Sequence, residues 1–297
     1  MSTAEIISQC AACGKGGEVL KACTVCKLVT YCSVTCEKAH RQKHKKQCNR
    51  RAAELFDEAL FQQPPPKDDC PICFLPLQFG TGYNHYQSCC GKFLCSGCVN
   101  AVKAERTNSL RNIPPHCPFC RTPTLTSHEE LIERCTKRME ANDAEAFMIL
   151  GCHYHEGEMG LPQNLKKSMG LLLRAAELGS INAHAHLSQA YYNGEGVEKD
   201  MKKANHHWER AAVGGHDQSR HNLGVLESQH NLSDNRAKKH FMIAARARYD
   251  ESLKTIRDMF MAGQVTKKEY EMTLRAHKDS QDEMKSDQRD RAVDGIL

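Results

Sequence analysis

Fifteen of the chain's 17 cysteines lie between Cys10 and Cys120, and only Cys135 and Cys152 fall outside that span. No other feature of the 297 residues restricts the fold as tightly. Most of them come in C-x2-C pairs, a spacing at which a tight turn brings two thiolates to ~2.3 Å from one zinc ion. The N-terminal "MSTAEIISQC" has neither the basic stretch nor the apolar stretch of a secretory signal, so an intracellular setting, cytoplasmic or nuclear, is expected. Thiols there stay reduced, and closely spaced pairs read as metal ligands rather than as a disulfide framework. No apolar run approaches the ~20 residues of a membrane-spanning helix, and no membrane partner is expected.

Cysteine usage also divides the chain. Residues 10–48 form a first metal block and residues 70–123 a second. Between them, residues 49–69 read as a helix and a proline-rich linker. "RAAELFDEALFQ" puts Leu55, Phe56 and Ala59 near one helical face, and "QQPPPKDD" then breaks the helix. From residue 127 cysteine nearly vanishes and helical periodicity takes over. That shift predicts repeats over 127–277 that fold independently of zinc. Residues 278–297 read as a polar C-terminal tail without a face to bury.

The first block runs Cys10-x2-Cys13-x9-Cys23-x2-Cys26-x5-Cys32-x3-Cys36-x7-His44-x3-Cys48, eight donors for two closed tetrahedral sites. Cys36, His40, His44 and Cys48 sit four apart, so a helix would carry them on one drifting face. This order resembles the MYND zinc finger. The resemblance implies interleaved pairing, with Cys10, Cys13, Cys32 and Cys36 on one zinc and Cys23, Cys26, His44 and Cys48 on the other. His40 is then the spare. Arg41 stands about where that family often has a tryptophan, so the aromatic of the family's proline-peptide groove is missing.

The second block runs Cys70-x2-Cys73-x15-Cys89-Cys90-x4-Cys95-x2-Cys98-x18-Cys117-x2-Cys120. "CPIC" and "CPFCRTP" resemble the two ends of a RING finger. That resemblance implies Cys70, Cys73, Cys95 and Cys98 on one zinc and Cys89, Cys90, Cys117 and Cys120 on the other, about four zinc ions in the whole chain. The doubled cysteine replaces the family's cysteine and histidine. Adjacent residues in an extended strand point to opposite faces, so the backbone must kink there, which Gly91 permits. Lys92 has no lone pair to offer. The alternative uses Cys90 alone, with His85 or His116 completing the site.

Residues 144–247 repeat at about 36 residues. Leu150, Leu187 and Leu223 correspond, as do Ala175-Ala176, Ala211-Ala212 and Ala244-Ala245. The middle copy, with Gly194-x-Gly196-Val197-x2-Asp200 and Lys203-Ala204-x3-Trp208, resembles the Sel1-like repeat. A degenerate helix pair over Tyr249 to His277 is expected as a cap. The fold class is therefore two small cross-braced zinc-binding domains followed by an all-α Sel1-like solenoid. The histidines from His184 to His230 read as packing rather than as metal ligands.

Closed sites leave no open metal position for hydrolysis, and no catalytic residue is assigned. Cys135 and Cys152 are expected to be inert helix thiols. The net charge of +5 is mild, and the basic run "EKAHRQKHKKQCNRR" has no interleaved aromatics, which argues against nucleic acid. The RING resemblance implies a ubiquitin ligase that recruits a conjugating enzyme through Ile72 and Pro118 and contacts ubiquitin through Arg121. The MYND finger and repeats would then bind protein substrates or peptide motifs. The alternative is a zinc-dependent adaptor that catalyses nothing.

Overall fold

The computed structural model describes residues 9–17, 19–77, 84–107, 116–125, 127–229, 234–287 and 289. The chain divides into two compact units, Met1–Gln62 and Gln63–Leu297.

In the first unit a two-residue hairpin pairs β1 (Lys21–Ala22) with β2 (Thr30–Tyr31) in antiparallel register, and α1 (Val34–Phe61) follows. Its core is Cys10, Cys23, Cys26 and Tyr31, with Leu20 and Val29 beside it. So few apolar side chains cannot offset the chain entropy lost on folding, and metal binding must supply the difference. Ser33 caps α1 by accepting from the Cys36 amide, which fixes the helix start two residues before the first ligand it carries. α1 corrects one expectation. A metal-held helix followed by a separate helix over 51–62 was expected, with a boundary after residue 48, but all 28 residues form one helix. No proline or glycine lies between Cys48 and Gln62, so nothing interrupts the hydrogen-bond ladder before Pro64.

The second unit begins with the linker. Lys67 pairs with Asp217 at 3.7 Å, both of them largely buried. β3 (Asn84–Gln87) and β4 (Lys92–Cys95) form an antiparallel hairpin with Gln87 opposite Lys92, and α2 (Ser96–Thr107) follows. Seven helices of 13 residues come next: α3 (His128–Glu140), α4 (Ala144–Glu156), α5 (Leu165–Glu177), α6 (Ile181–Asn193), α7 (Met201–Val213), α8 (Asp217–Gln229) and α9 (Asp234–Arg246). α10 (Asp250–Met261) and α11 (Lys267–Asp282) complete the eleven helices among the described residues.

The repeat pattern accounts for the stacking. α4 packs on α5, α6 on α7 and α8 on α9, and successive pairs meet through α5 with α6 and α7 with α8. Leu150, Leu187 and Leu223 are buried, as are Ala175, Ala211, Ala212, Ala244 and Ala245. Alanine at those contacts lets neighbouring helices approach closely, in line with interaxial separations of ~8–10 Å. Asp143, Asn164, Ser180 and Asp200 accept hydrogen bonds from first-turn amides of α4, α5, α6 and α7. α10 and α11 occupy the expected capping position, and Thr266 with Glu269 forms a reciprocal capping box on α11. His230 and the turn of the third copy lie outside the described residues.

Two boundaries differ from the sequence expectation. The composition change near residue 127 is not a structural division, because the second metal block shares a unit with the repeats. The tail, expected from residue 278, is helical through Asp282 and then turns inward: Met284 and Arg289 are buried. Its polarity concealed this, since a single arginine that hydrogen-bonds backbone carbonyls needs no apolar stripe. Residues 288 and 290–297 lie outside the described residues.

Candidate metal centres

One local turn builds most of the metal-binding geometry. In each C-x2-C knuckle starting at Cys10, Cys23, Cys70 and Cys117, the residue after the second cysteine donates its amide to the carbonyl of the first, at 2.8, 3.1, 2.8 and 2.9 Å. That residue takes a left-handed backbone, with φ of 72° at Gly14, 57° at Lys27, 55° at Phe74 and 61° at Arg121. Both side chains of the pair then project to one side of the turn. The three non-glycine occupants are exposed.

The doubled cysteine uses the same device in a shifted register. Gly91 donates to the Gln87 carbonyl at 2.7 Å with φ of 68°, so Cys89 and Cys90 occupy the third and fourth positions of the turn instead of the first and fourth. They lie in the β3–β4 connection and not in a strand, which removes the alternation that would have sent them to opposite faces.

Four sets of donors converge, the atoms of each set lying within 4.8 Å of one another: Cys10, Cys13, Cys32 and Cys36; Cys23, Cys26, His44 and Cys48; Cys70, Cys73, Cys95 and Cys98; Cys89, Cys90, Cys117 and Cys120. His85 and His116 are in none of them. His85 Nε2 instead lies 3.2 Å from Ser96 Oγ. Lys92 is exposed. His40 stays outside as well, 3.2 Å from the Tyr31 hydroxyl and stacked on His44. Arg41 is exposed.

The spacing suits zinc. A tetrahedron with ~2.3 Å zinc–sulfur bonds has edges of about 3.8 Å. Sulfur–sulfur separations are 3.7 Å for Cys13 and Cys32, 3.8 Å for Cys23 and Cys48, 3.8 Å for Cys73 and Cys95, and 4.0 Å for Cys90 and Cys117. A disulfide would require about 2.05 Å. His44 faces its site through Nε2, 3.1 Å from Cys26 Sγ. The four donor sets, one with three thiols and an imidazole and three with four thiols, are consistent with zinc.

Protons distribute unevenly within these sets. A hydrogen bond from Cys95 draws the Cys70 thiol down to about 4, while burial pushes Cys98 up to about 12. In the first block the backbone amide of Cys32 brings Cys10 down to about 6, and Cys32 itself rises to about 12 on its hydrogen bond to Cys10. Four crowded thiols cannot all ionise beside one another, and a divalent cation is the charge that lets them.

The second block is fastened to the repeats by residues that the sequence pattern did not single out. Asp143 is the centre. Its Oδ1 caps α4, accepting from the Glu145 and Ala146 amides at 3.1 and 3.4 Å. Its Oδ2 accepts from the Tyr86 hydroxyl of β3 at 2.8 Å and from Arg138 Nη1 of α3 at 3.2 Å. Arg138 Nε also donates to the Ser88 carbonyl in the metal-bearing turn at 3.0 Å. The guanidinium lies so close over Gly91 that a Cβ there would fall 2.5 Å from Nη1. Burial and then the Asp143 carboxylate hold the Tyr86 hydroxyl protonated well above its ordinary range. On the other site of this block Arg289 donates to the carbonyls of Leu75 and Pro76 at 3.0 and 2.9 Å, and to Cys73 Sγ at 3.7 Å. The contacts to the metal block join residues 50 to 216 apart, beyond any local signal.

Of the expected surface residues, Arg121 is exposed, while Pro118 and Ile72 are half-buried and Ile72 packs against the cluster around Leu94. Cys135 is buried, and burial pushes its thiol up to about 11. Burial likewise pushes Cys152 up to about 12, although His186 Nε2 lies 3.5 Å away. Both are poor nucleophiles near neutrality.

Fold and donor sets together define a zinc-binding repeat protein: a cysteine-rich N-terminal region followed by stacked helix pairs. Residues 10–48 match the MYND finger family, and residues 144–180 and 181–216 each match the Sel1 repeat, so the chain carries a MYND finger and Sel1 repeats, both protein-interaction modules. Among solved structures, a Sel1 repeat protein from Oxalobacter formigenes aligns over 52% of this chain and 64% of its own, at 21% identity and a TM-score of 0.46. A second is c5321, a protective antigen present in uropathogenic Escherichia coli strains and displaying an SLR fold. It aligns over 52% of this chain and 33% of its own, at 28% identity and a TM-score of 0.45. This chain thus spans less than two thirds of either protein. No curated protein matches it. No helix among the described residues is long and apolar enough to cross a membrane.

Proposed function

We propose that the chain is a RING-type ubiquitin ligase whose repeats and MYND finger select the substrate. The observation that carries this reading is the interleaving of the second block. Its first and third cysteine pairs converge at one site and its second and fourth at the other, around a hairpin and a following helix. That arrangement supports assigning residues 70–123 to the RING class, with Ile72, Pro118 and Arg121 as the contacts to the conjugating enzyme and its ubiquitin.

Such a ligase supplies no nucleophile. It accelerates transfer by holding the thioester-linked ubiquitin in a reactive arrangement, so its residues act by positioning. Ile72 and Pro118 are the apolar anchors, and Arg121 donates from an exposed left-handed turn. Zinc at the two sites of this block would hold the loops that present these side chains. The test is discharge of ubiquitin from a panel of conjugating enzymes to free lysine by the zinc-replete full chain. Ile72→Ala should weaken enzyme binding by about 1–3 kcal/mol. Arg121→Ala should leave binding intact and slow discharge, because its contact forms mainly in the closed state.

One observation favours the adaptor reading instead. Ile72 is half-buried against the finger's own core, which leaves less of it to anchor a partner. Failure to stimulate discharge with every enzyme of a broad panel decides for the adaptor.

A further inference from the structure

A groove of about 210 Å³ opens between α6, α7 and α8, remote in sequence from every metal ligand. Its eight lining residues include Gln189 and Tyr192 of α6, Trp208 of α7, and Gln218, Asn222 and Gln229 of α8. None of the eight is charged. Among the described residues none of the four carboxamides hydrogen-bonds to another protein group through its side chain, although most long polar side chains on the neighbouring helices are paired.

Chemistry narrows the occupant. A carboxamide offers donors and an acceptor together, the complement of a peptide group. Gln218, Asn222 and Gln229 run along one face of α8, and a rise of ~1.5 Å per residue sets Gln218 and Asn222 about 6 Å apart and the full row about 16 Å long. An extended chain advances ~3.3 Å per residue and presents equivalent backbone groups every ~6.6 Å, so the row matches about five residues of a strand-like segment. A helical partner hides its backbone groups within its own ladder and would leave the amides unanswered. Nucleic acid needs cations, which the lining lacks. A compact small molecule needs a cavity of ~300–1,000 Å³, larger than this one. Tyr192 and Trp208, with ring centroids 5.3 Å apart, make the apolar wall at one side. Trp208 is 4% exposed, and Tyr192 is 41% exposed.

We propose that the α6–α8 face binds an uncharged, extended peptide segment of a partner protein. Gln218 and Asn222 read its backbone, Gln189 and Gln229 flank it, and Tyr192 over Trp208 receives one apolar side chain. This rests on the reading of the repeats as the substrate-selecting part, and it names the chemical class they select.

The experiment is selection of a displayed random heptapeptide library on the zinc-replete full chain, with counter-selection on the double variant Gln218→Leu/Asn222→Leu. Both positions face solvent at least in part, and circular dichroism of the variant checks that the helices persist. Enriched sequences should carry at least five consecutive uncharged residues, and their synthetic copies should shift the emission of Trp208, the only tryptophan in the chain, saturably. Asn222→Asp and N-methylation of alternate peptide amides should each weaken binding about tenfold, as expected for one lost hydrogen bond of ~1.4 kcal/mol. The proposal is overturned if no peptide distinguishes the wild-type chain from the double variant, if the enriched peptides are charged, or if N-methylation leaves affinity unchanged. No conjugating enzyme enters the assay, so its failure leaves a positive discharge result standing, and the reverse holds as well.

Discussion

The two metal blocks hold the same number of donors and the same kind of turn, but they stand differently in the molecule. The first belongs to a unit whose buried core is little more than its ligands and Tyr31, extended by one long helix. The second belongs to the unit of the repeats, with Arg138 and Asp143 clasped to its hairpin turn and Arg289 to its opening loop. The lesson is that zinc can hold a small fold by itself, or it can shape a surface on which a larger fold closes. In the second case the metal supports contacts far from the ligands.

The contrast is sharpest in its response to metal loss. Cys26→Ser and Cys117→Ser should each release zinc, visible as lower stoichiometry in native mass spectrometry, because a structural site contributes roughly 10–16 kcal/mol. Cys117→Ser should also lower the thermal midpoint of the repeats, since Arg138 and Asp143 clasp the turn at that site, and Cys26→Ser should lower it less. Equal midpoints for the two variants would break the comparison. A smaller effect tests the turns. Gly91→Ala adds a Cβ against Arg138 in a left-handed backbone, costing about 2–5 kcal/mol in denaturant unfolding. Gly14→Ala has the same backbone but open space around it and should cost only about 1–2 kcal/mol.

Next come the caps. Asp143→Ala removes a helix cap and strands the Tyr86 hydroxyl, for about 2–3 kcal/mol. Ser33→Ala removes only the cap of α1, for about 1 kcal/mol. If urea unfolding shows the same loss for both, Asp143 does not fasten the finger. A further test is in acid. His184 and His207, their Nδ1 atoms 2.9 Å apart, are each held down to about 4 by burial. Their folded value lies below the unfolded value of ~6.5, so the unfolded state binds more protons between the two. Stability is then full above about pH 6.5 and falls as pH drops toward 4. His184→Gln/His207→Gln should flatten that limb in melts run from pH 7.5 to 4.5.

The ligand order and the 36-residue period were both legible in the sequence, because spacing alone determines which thiols a turn can bring together and which faces a helix can bury. The continuity of α1 was legible in principle, since no breaker separates Cys48 from Gln62, although the composition changes there. The clasp was not legible. Tyr86, Arg138 and Asp143 look like an ordinary strand tyrosine and an ordinary pair of surface charges until the fold brings them together across 57 residues. Arg289 sits in a run polar enough to pass for a loose end. The amide row on α8 was not legible, because uncharged polar residues carry no period of their own.

The left-handed residues that end the knuckles have a consequence for how this chain can change over time. Glycine would suit those turns best, yet Lys27, Phe74 and Arg121 fill three of them, at about 1–2 kcal/mol each. A drifting sequence under selection for persistence alone would be pulled toward glycine at all three. Glycine at 121 should therefore give a hardier finger that has lost its guanidinium, and a screen for heat resistance would enrich the very substitution that silences the proposed ligase.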